Sequence, residues 1–412
     1  MVRVLGAVVH GGLHLAPPLD AALGTIDERE TRAFVTDVAY GTVRHLRALE
    51  RALTPRLAAP ERLPDRVRLA LLAGAYERTI RGTPPHAAVH AWVAFVKRGP
   101  RPERGLAALV NAVLRRVSPD DLPRPLGAAS LEPWLFERVA AALGADMGER
   151  AAFGMLQPEP LWLSAADPAA ASARLRDEGV DVAPGPVPGS LRVRSPLPLR
   201  RLAAFREGLV QPQNPASLAV VHACGPVAGV RVLDLCSGNG IKAAGLAARG
   251  AAVTSVERDE AKLRSAERNA ARLGVELTSL AWDLTRPPPL EPAPVVLLDA
   301  PCSGTGTLRG HPEIRLRLTR DALASLVDLQ GRLLRSALAC VAPGGLLVYA
   351  VCALTPDEGP RQVERILAEN CEFEAVAPDL PIAHVPMPGS GAWIVPEEGL
   401  DGFFVAALRR ST

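Results

Sequence analysis

The sequence has few cysteines, almost no lysine and few aromatic residues, and these shortages limit what the protein can be. Its six cysteines are scattered along 412 residues without one C-x-x-C pair, which argues against a zinc ribbon, any other metal site or a disulfide framework. Unpaired cysteines indicate a reducing compartment, so we expect a cytoplasmic protein. No run of about 18 apolar residues is present, so no membrane span is expected. The apolar segment 1–12 is too short for a signal peptide and is interpreted as the start of a domain.

The positive charge is almost all arginine and is unevenly distributed. Lysine occurs only at Lys97, Lys242 and Lys262. Residues 1–125 contain 19 Lys+Arg against 12 Asp+Glu, whereas the remainder contains 28 against 32. A basic N-terminal region suits a polyanionic partner, although a solvated arginine-rich surface would give the same counts.

Hydrophobic periodicity divides the chain into three regions, so a multidomain protein is expected. Apolar residues recur at spacings of three and four within residues 1–125, which predicts an all-α helical bundle. The clearest stripes comprise Val67, Leu71, Leu72 and Ala75, then Leu106, Leu109, Val110, Val113 and Leu114, and more loosely Phe34, Val38, Leu46 and Leu49. Residues 126–205 begin with a proline-rich linker and continue as a small α+β module. Residues 206–412 alternate short apolar runs with helical segments, which predicts an α/β domain with a Rossmann-like parallel sheet.

Acidic residues and one cysteine follow the predicted strands of the α/β domain. The strands are predicted at 230–235, 251–256, 277–282, 295–298 and 346–351, with a closing pair at 372–376 and 403–408. The residues at or after the five strand ends are Asp234, Glu257, Asp283, Asp299 and Cys352. Because carboxyl ends of parallel strands meet at one edge, where ligands bind, we expect these side chains to share one crevice. Helix capping would explain any one of the carboxylates but explains all five positions poorly.

A glycine loop follows the first of these strands. It reads Asp234-Leu-Cys-Ser-Gly238-Asn-Gly240-Ile-Lys242, and its glycines let backbone N–H groups approach a ligand at a helix start. Gly238, Gly240 and Ala243 also satisfy the dinucleotide pattern G-x-G-x-x-A, with Glu257 suitably downstream for a ribose. The loop therefore indicates a nucleoside-bearing cofactor, and by itself it does not separate a methyltransferase from a dehydrogenase.

Two further motifs carry a family resemblance. The first is Asp299-Ala-Pro-Cys302-Ser-Gly-Thr-Gly-Thr-Leu-Arg-Gly-His311-Pro-Glu313-Ile, and the second is Tyr349-Ala-Val-Cys352-Ala-Leu-Thr-Pro356-Asp-Glu358. With Lys242 and Asp401-Gly-Phe-Phe404, they closely resemble the Sun-type RNA 5-methylcytosine methyltransferases. The chain departs from that pattern in the loop from Cys236 to Lys242, which lacks the usual proline, and at Val351, where threonine is usual.

The N-terminal region resembles the NusB-like RNA-binding domain of one bacterial branch of this family. The residues concerned are Gly82-Thr-Pro-Pro-His86-Ala-Ala and Val110-Asn-Ala-Val-Leu-Arg-Arg116. Enzymes of that branch methylate a cytosine in 16S ribosomal RNA. The resemblance implies a NusB-like domain at 1–125, a small module at 126–205 and a class I methyltransferase domain at 206–412, with S-adenosylmethionine as cofactor and 16S rRNA as partner. Nothing demands more than a monomer.

Roles for single residues follow from the resemblance. Cys352 is the nucleophile that adds to C6 of cytosine, Cys302 assists elimination, and Asp299 hydrogen-bonds the base at N3. Glu257 is expected at the ribose hydroxyls and Asp283 at the adenine amino group, with Asp234 and Lys242 at the methionine end or within the loop. The whole predicted cofactor set is Asp234, Cys236, Ser237, Gly238, Asn239, Gly240, Ile241, Lys242, Glu257, Asp283 and Asp299. Arg309, His311 and Arg315 are expected at RNA phosphates. The alternative is that they are ordinary solvated residues on a helix surface.

Two rival hypotheses remain at this point. A nicotinamide-dependent oxidoreductase would explain the glycine loop but not the paired cysteines or the basic N-terminal region. A non-catalytic RNA-binding assembly factor would explain the basic region and would treat the altered loop as lost cofactor binding.

Overall fold

The computed structural model describes residues 1–194 and 199–412 and divides the chain into two compact units. One unit comprises Met1–Pro158 with Thr307–Leu318, and the other comprises Glu159–Gly306 with Thr319–Thr412. Each unit has its own hydrophobic core. The predicted module at 126–205 includes residues 195–198, which lie outside the described residues.

The first unit is helical. Its helices are α1 (Val2–Val9), α2 (Ala16–Leu23), α3 (Arg29–Arg44), α4 (Leu46–Leu53), α5 (Asp65–Tyr76), α6 (Pro85–Lys97), α7 (Arg101–Arg104), α8 (Ala107–Arg116), α9 (Leu126–Ala129), α10 (Pro133–Leu143), α11 (Ala145–Gly154) and α17 (Ile314–Arg317). Helix α5 is the centre of the unit because it buries residues on all its faces, among them Val67, Leu71 and Ala75. Val110 and Leu114 of α8 are also buried, so the predicted helical stripes are confirmed as core.

Helices α9 to α11 belong to this helical unit, whereas the sequence pattern predicts that residues 126–158 are part of the small module. The Glu149 carboxylate on α11 accepts hydrogen bonds from the backbone N–H groups of Gly127 and Ala128 at the start of α9. Arg47 on α4 forms an ion pair with Glu132, which precedes α10. The Glu149 bonds hold the segment together and the Arg47–Glu132 pair joins it to the bundle. The proline-rich sequence at 119–133 does not indicate these contacts.

The second unit starts with a small α+β module, as predicted for this region. It consists of β1 (Trp162–Ser164), α12 (Pro168–Asp177), β2 (Val182–Pro184), β3 (Ser190–Val193), α13 (Ala203–Arg206) and β4 (Gln211–Pro212). In the described residues the strands run in the order β2-β3-β1-β4, and the pairs are antiparallel. Leu163, Leu175 and Leu191 form the module's own small core.

The rest of the second unit is an α/β domain. It consists of α14 (Pro215–Ala223), β5 (Arg231–Leu235), α15 (Ile241–Ala248), β6 (Ala252–Glu257), α16 (Glu260–Leu273), β7 (Thr278–Ala281), β8 (Ala293–Asp299), α18 (Arg320–Ala339), β9 (Val341–Val351), α19 (Pro360–Glu369), β10 (Phe373–Val376), β11 (Val385–Met387), β12 (Gly391–Ile394) and β13 (Phe403–Arg410). Each predicted strand corresponds to an observed one. Strands β11 and β12 were not predicted.

The sheet combines a parallel half with an antiparallel half. Among the described residues its strands run in the order β11-β12-β13-β9-β8-β5-β6-β7, with β10 paired to β13. Strands β5 to β9 are mutually parallel, and β13 lies antiparallel beside β9. The carboxyl ends of β5, β6, β8 and β9 therefore lie along one edge, where the candidate site is found. None of the helices in the described ranges is both long and apolar enough to cross a membrane.

Candidate active site

The glycine loop after β5 has backbone conformations that are unfavourable for most residues other than glycine. Cys236, Gly238 and Gly240 all have positive φ angles, of 60°, 56° and 72°. A side chain at Gly240 would place its Cβ 2.5 Å from the Cβ of Ala266 on α16, so only glycine fits there. The loop then leads directly into α15, as the sequence pattern predicted.

Glu257 at the end of β6 is bound to this loop. One carboxylate oxygen accepts the Gly238 N–H at 3.0 Å, and the other accepts the Asp259 N–H at 3.1 Å. The side chain is 9% exposed, and each oxygen keeps a lone pair for a ligand. Ser237 joins the same region through a 2.6 Å hydrogen bond between its hydroxyl and that of Ser255.

Asp234 is buried and interacts electrostatically with Lys242 and Asp299, which are partly exposed. Lys242 Nζ donates to Asp299 Oδ2 at 2.6 Å and lies 5.4 Å from the centre of the Phe403 ring. Burial lowers the pKa of Lys242, but the Asp299 carboxylate outweighs it and the net pKa is raised. Burial and then the Asp299 charge raise the pKa of Asp234 to about 8, against the lowering effects of Lys242 and the Ala243 N–H.

The two predicted catalytic cysteines lie in contact. Cys302, three residues beyond the end of β8, has its Sγ 3.3 Å from Sγ of Cys352, which follows β9 directly. Both are free thiols and both are partly exposed. The hydrogen bond to Cys352, together with burial, raises the pKa of Cys302 well above its ordinary value. This places a thiol pair and the Lys242–Asp299 ion pair at the ends of neighbouring strands.

Other predicted cofactor residues lie around the loop with different exposure. Ile241 begins α15 and is partly buried, and Asn239 is exposed at the loop's tip. Burial, and then the Glu257 charge, raise the pKa of Cys236 to about 12, so its thiol stays neutral. Asp283 lies beyond β7 and is exposed, where its carboxylate accepts the Thr285 N–H and its pKa is lowered by that bond.

The placement of the predicted RNA-contacting residues requires a correction. Arg309 and Arg315 are each only 2% exposed and pack inside the helical unit, so the prediction that they meet RNA phosphate is wrong for this structure. Arg315 donates to the backbone carbonyl of Arg44, and Arg44 donates to that of Arg309. Burial, and then the Arg44 charge, lower the pKa of Arg315 to about 9. The sequence suggested exposure because arginine is seldom buried. His311 is 61% exposed and remains available.

Sequence reasoning missed a buried carboxylate behind the cysteines. Glu358 is fully buried and accepts hydrogen bonds from Ser303 and Thr355, which lie in the two cysteine-bearing loops, and from Gln330 on α18. Glu358 stands in the second cysteine motif, so its position within the motif was the available signal. Its partners are distant in sequence and could not be identified from it.

The residues present fit a nucleoside-bearing cofactor with a cationic end. Neither carboxylate oxygen of Asp234 makes a hydrogen bond of ordinary geometry to the described protein, although both are buried. A buried carboxylate in this state suits a ligand that brings donors or positive charge. The positive-φ loop offers backbone N–H groups beside it. Over residues 1–194 and 199–412, no cluster of three His, Cys, Asp or Glu side chains is arranged to hold a metal ion.

The fold and the site together define a class. The α/β domain is a Rossmann-like class I methyltransferase domain. It has a parallel sheet with an antiparallel strand next to β9, a glycine loop after β5 and an acidic residue at the end of β6. Here that domain is accompanied by a separate helical unit.

Comparisons with known proteins identify the family. A family model described as 16S rRNA methyltransferase RsmB/F matches residues 221–409, and a NusB family model matches residues 14–119. A ribosomal RNA small subunit methyltransferase B from Thermus thermophilus is 43% identical over 92% of this chain and 89% of its own length. A protein of the same name from Xylella fastidiosa is 34% identical over 98% of each chain. The crystal structure of PH0851 superposes with a TM-score of 0.78 over 99% of this chain and 97% of its own, at 23% identity, which shows a shared fold.

The chain belongs to the RsmB/F family of methyltransferases, with an N-terminal NusB domain. S-adenosylmethionine is the methyl donor of this family, which confirms the predicted cofactor. The oxidoreductase hypothesis, which rested on the glycine loop alone, is excluded by this assignment. The predicted all-α, α+β and Rossmann-like domain types are confirmed.

Proposed function

We propose that this protein transfers a methyl group to C5 of a cytosine in 16S ribosomal RNA through a covalent bond between Cys352 and C6. The observation that carries the proposal is the 3.3 Å contact between the Cys302 and Cys352 sulfur atoms at the carboxyl edge of the sheet. The names of the curated relatives support a small-subunit rRNA substrate.

The chemistry needs a nucleophile because C5 of cytosine is too weakly nucleophilic to be methylated unaided. When the Cys352 sulfur bonds to C6, the C5=C6 pair shifts to C4=C5 and the C4=N3 pair shifts to N3, which takes up the proton lost by the thiol. The resulting enamine makes C5 nucleophilic. A carboxylate at position 299 accepts the hydrogen bond of that N3–H. Lys242 holds this side chain in place, because its ammonium group donates to Asp299 Oδ2 at 2.6 Å.

Elimination restores the aromatic ring after C5 is methylated. Cys302 first gives its own proton to solvent, and its thiolate then takes the C5 proton. The C5–H bonding pair re-forms C5=C6, and the Cys352 sulfur departs with the C6–S pair and takes back the proton held at N3. A thiol whose pKa is raised, as that of Cys302 is, becomes a strong base once ionised.

The bound cofactor supplies an electrophilic methyl group on a sulfonium. We assign Glu257 to its ribose hydroxyls, Asp283 to its adenine, and Asp234 with the loop from Cys236 to Lys242 to its amino-acid end. Glu257 keeps free lone pairs, and the unsatisfied oxygens of Asp234 favour a cationic group. Lys242 has a second role besides the cofactor loop, because its ammonium group donates a hydrogen bond to Asp299. We assign the phosphate contact to His311, whose imidazole is exposed.

The first experiment compares cysteine variants on 16S rRNA transcripts. We expect Cys352→Ala to lose methylation by at least about 10³-fold, and Cys302→Ala to accumulate a protein–RNA adduct that survives a denaturing gel. Cys371→Ala is the matched control, because this exposed thiol is outside the site and its loss should change neither property. Undiminished methylation by Cys352→Ala would refute the covalent mechanism.

The second experiment locates the base. Bisulfite sequencing of 16S rRNA from cells lacking the protein should show one cytosine that has lost its protection. An unchanged cytosine pattern would reject the C5 assignment and favour the assembly-factor hypothesis.

A further inference from the structure

A fully buried carboxylate lies behind the thiol pair and is saturated with hydrogen bonds. Glu358 Oε1 accepts the Ser303 N–H at 2.7 Å and the Gln330 side-chain N–H at 3.1 Å. Its Oε2 accepts the Ser303 hydroxyl at 2.6 Å and the Thr355 hydroxyl at 2.8 Å. Four donors on a carboxylate with 0% exposure make this a fully satisfied polar network, which specifies the position of every group in it.

The donors come from both cysteine-bearing loops. Ser303 is the neighbour of Cys302, and Thr355 is three residues beyond Cys352. Glu358 therefore joins two segments that are 55 residues apart, as measured between Ser303 and Glu358. Neither loop can shift away from the other without leaving a donor or a buried charge unpaired, which is costly in the interior.

Outer contacts hold Glu358 itself in place. The Gln330 amide also donates to the Pro301 carbonyl at 3.0 Å, immediately before Cys302. The hydroxyl of Tyr349, which lies on β9 three residues before Cys352, donates to the Glu358 backbone carbonyl at 2.7 Å. The chain on either side of each cysteine is thus tied to Glu358, through its carboxylate, through its backbone carbonyl or through Gln330.

A second bridge runs between the same loops without Glu358. The Thr305 hydroxyl accepts the Leu354 N–H at 2.9 Å, and the Gly306 N–H donates to the Cys352 carbonyl at 3.0 Å. These bonds keep the loops near one another when Glu358 is altered. They allow a test in which the thiol geometry changes while the domain remains folded.

We propose that Glu358 is a positioning residue that holds the Cys302 sulfur against the Cys352 sulfur, and that this geometry is required to release the methylated base. The proposal rests on the proposed function for the roles of the two thiols. Glu358 does not touch the substrate, because it is buried and its oxygens face Ser303, Thr355 and Gln330. Its only effect is on the position of the Cys302 sulfur, the proton acceptor of the elimination step, relative to the covalent adduct.

The first test measures the thiol geometry without any RNA. Phenylarsine oxide condenses with two thiols in contact, forming two As–S bonds and releasing one water. We expect the Glu358→Gln variant, which replaces one acceptor by a donor, to bind this probe at least about tenfold more weakly than the unaltered full chain. Glu364→Gln, an exposed change on α19, is the matched control and should bind as the unaltered chain does. Unchanged affinity in Glu358→Gln would overturn the proposal.

The second test separates positioning from general damage. In single turnovers on 16S rRNA, Glu358→Gln should form the covalent adduct at nearly the normal rate but release it about tenfold or more slowly, with KM for S-adenosylmethionine within about twofold. Equal losses in adduct formation, release and cofactor KM would indicate a merely structural role and overturn the proposal.

Gentler variants cover the case in which Glu358→Gln fails to fold. Thr355→Val and Gln330→Met each remove donors to the carboxylate while keeping the side-chain volume. We expect both to weaken phenylarsine oxide binding and to slow adduct release, by smaller factors than Glu358→Gln does. Failure of the proposed function is distinguishable, because Cys302→Ala would then give no adduct. The arsenical measurement would still decide the role of Glu358.

Discussion

At the scale of single residues, the acidic side chains at the strand ends share a chemistry but not an environment. Asp234 is fully buried and its pKa is raised, whereas exposed Asp283 has its pKa lowered by a backbone N–H. Glu257 is buried and has one backbone donor on each oxygen. The difference in pKa between Asp234 and Asp283 arises from burial of the first carboxyl and from hydrogen bonding of the second.

The buried Asp234 should make stability depend on pH. Its pKa is about 8 in the folded chain against 3.8 ordinarily, so the folded state binds the proton more tightly between these values. This residue's contribution to the free energy of unfolding is present below pH 4 and is lost as pH rises towards 8. We expect Asp234→Asn to gain stability over the unaltered chain at pH 8, by about 1–3 kcal/mol, and much less at pH 5.

Calorimetric unfolding of the cofactor-free chain between pH 5 and 9 measures this difference. Asp283→Asn is the control, because a lowered pKa places its effect below pH 4 and its difference should be flat over that range. A pH-independent difference for Asp234→Asn would contradict the prediction.

The Lys242–Asp299 pair gives a second prediction at this scale. Lys242→Met should lower the free energy of unfolding by about 1–3 kcal/mol, because Asp299 loses its partner beside the buried Asp234. The double variant Lys242→Met/Asp299→Asn should recover part of the loss in a double-mutant cycle by denaturant unfolding. Lys262→Met on the exposed face of α16 is the matched lysine control. Additive losses in the cycle would show that the two groups do not interact.

At the scale of elements, the loop after β8 must pack closely against the turn before β13. Gly306 and Gly402 approach so tightly that a Cβ at position 306 would lie 2.0 Å from the Gly402 carbonyl oxygen. The Gly402 N–H donates to the Gly306 carbonyl at 2.9 Å in the same contact. The cysteine-bearing loop is thereby fixed to the sheet through its backbone.

Gly306→Ala should therefore displace this loop. We expect a loss of about 2–4 kcal/mol in unfolding free energy, together with reduced methylation, because a backbone atom cannot yield as a flexible side chain can. Gly245→Ala within α15 is the control, since its Cβ would make only ordinary contact with Val221 and a helix favours alanine. Denaturant unfolding of both variants tests the difference, and equal stabilities would contradict it.

At the scale of the whole molecule, the excess positive charge and the candidate catalytic thiols belong to different units. The helical unit carries the excess of arginine, whereas the crevice with the thiol pair belongs to the α/β unit. Affinity for RNA and selection of one base can thus be supplied by separate parts of the chain, because phosphate contacts position a protein and base contacts specify.

Salt dependence of RNA binding tests this division. Arg115 and Arg116 are exposed at the end of α8, and reversing both charges to Glu should lower the slope of log affinity against log salt by about 1–2. Arg176→Glu, exposed on α12, is the control and should leave the slope unchanged. Filter binding of a 16S rRNA transcript to the full-length chain gives the measurement. An unaltered slope in the Arg115/Arg116 variant would show that phosphate contacts lie elsewhere.

The sequence alone determined the helical stripes, the strands β5 to β9 and the convergence of Asp234, Glu257, Asp299 and Cys352. These are local properties, because periodicity and the residue at a strand's end follow from neighbours in the chain. It also indicated through its motifs that Cys302 and Cys352 work together.

Only the tertiary structure decided which groups pair inside the domain. Lys242 meets Asp299 across 57 residues, and Glu358 meets Ser303 across 55, so no local pattern identifies either pair. The same holds for Arg309 and Arg315, which the sequence presents as surface cations and the helical unit buries. A buried polar group takes whichever partner packing brings to it, and that choice depends on long-range contacts which periodicity does not encode.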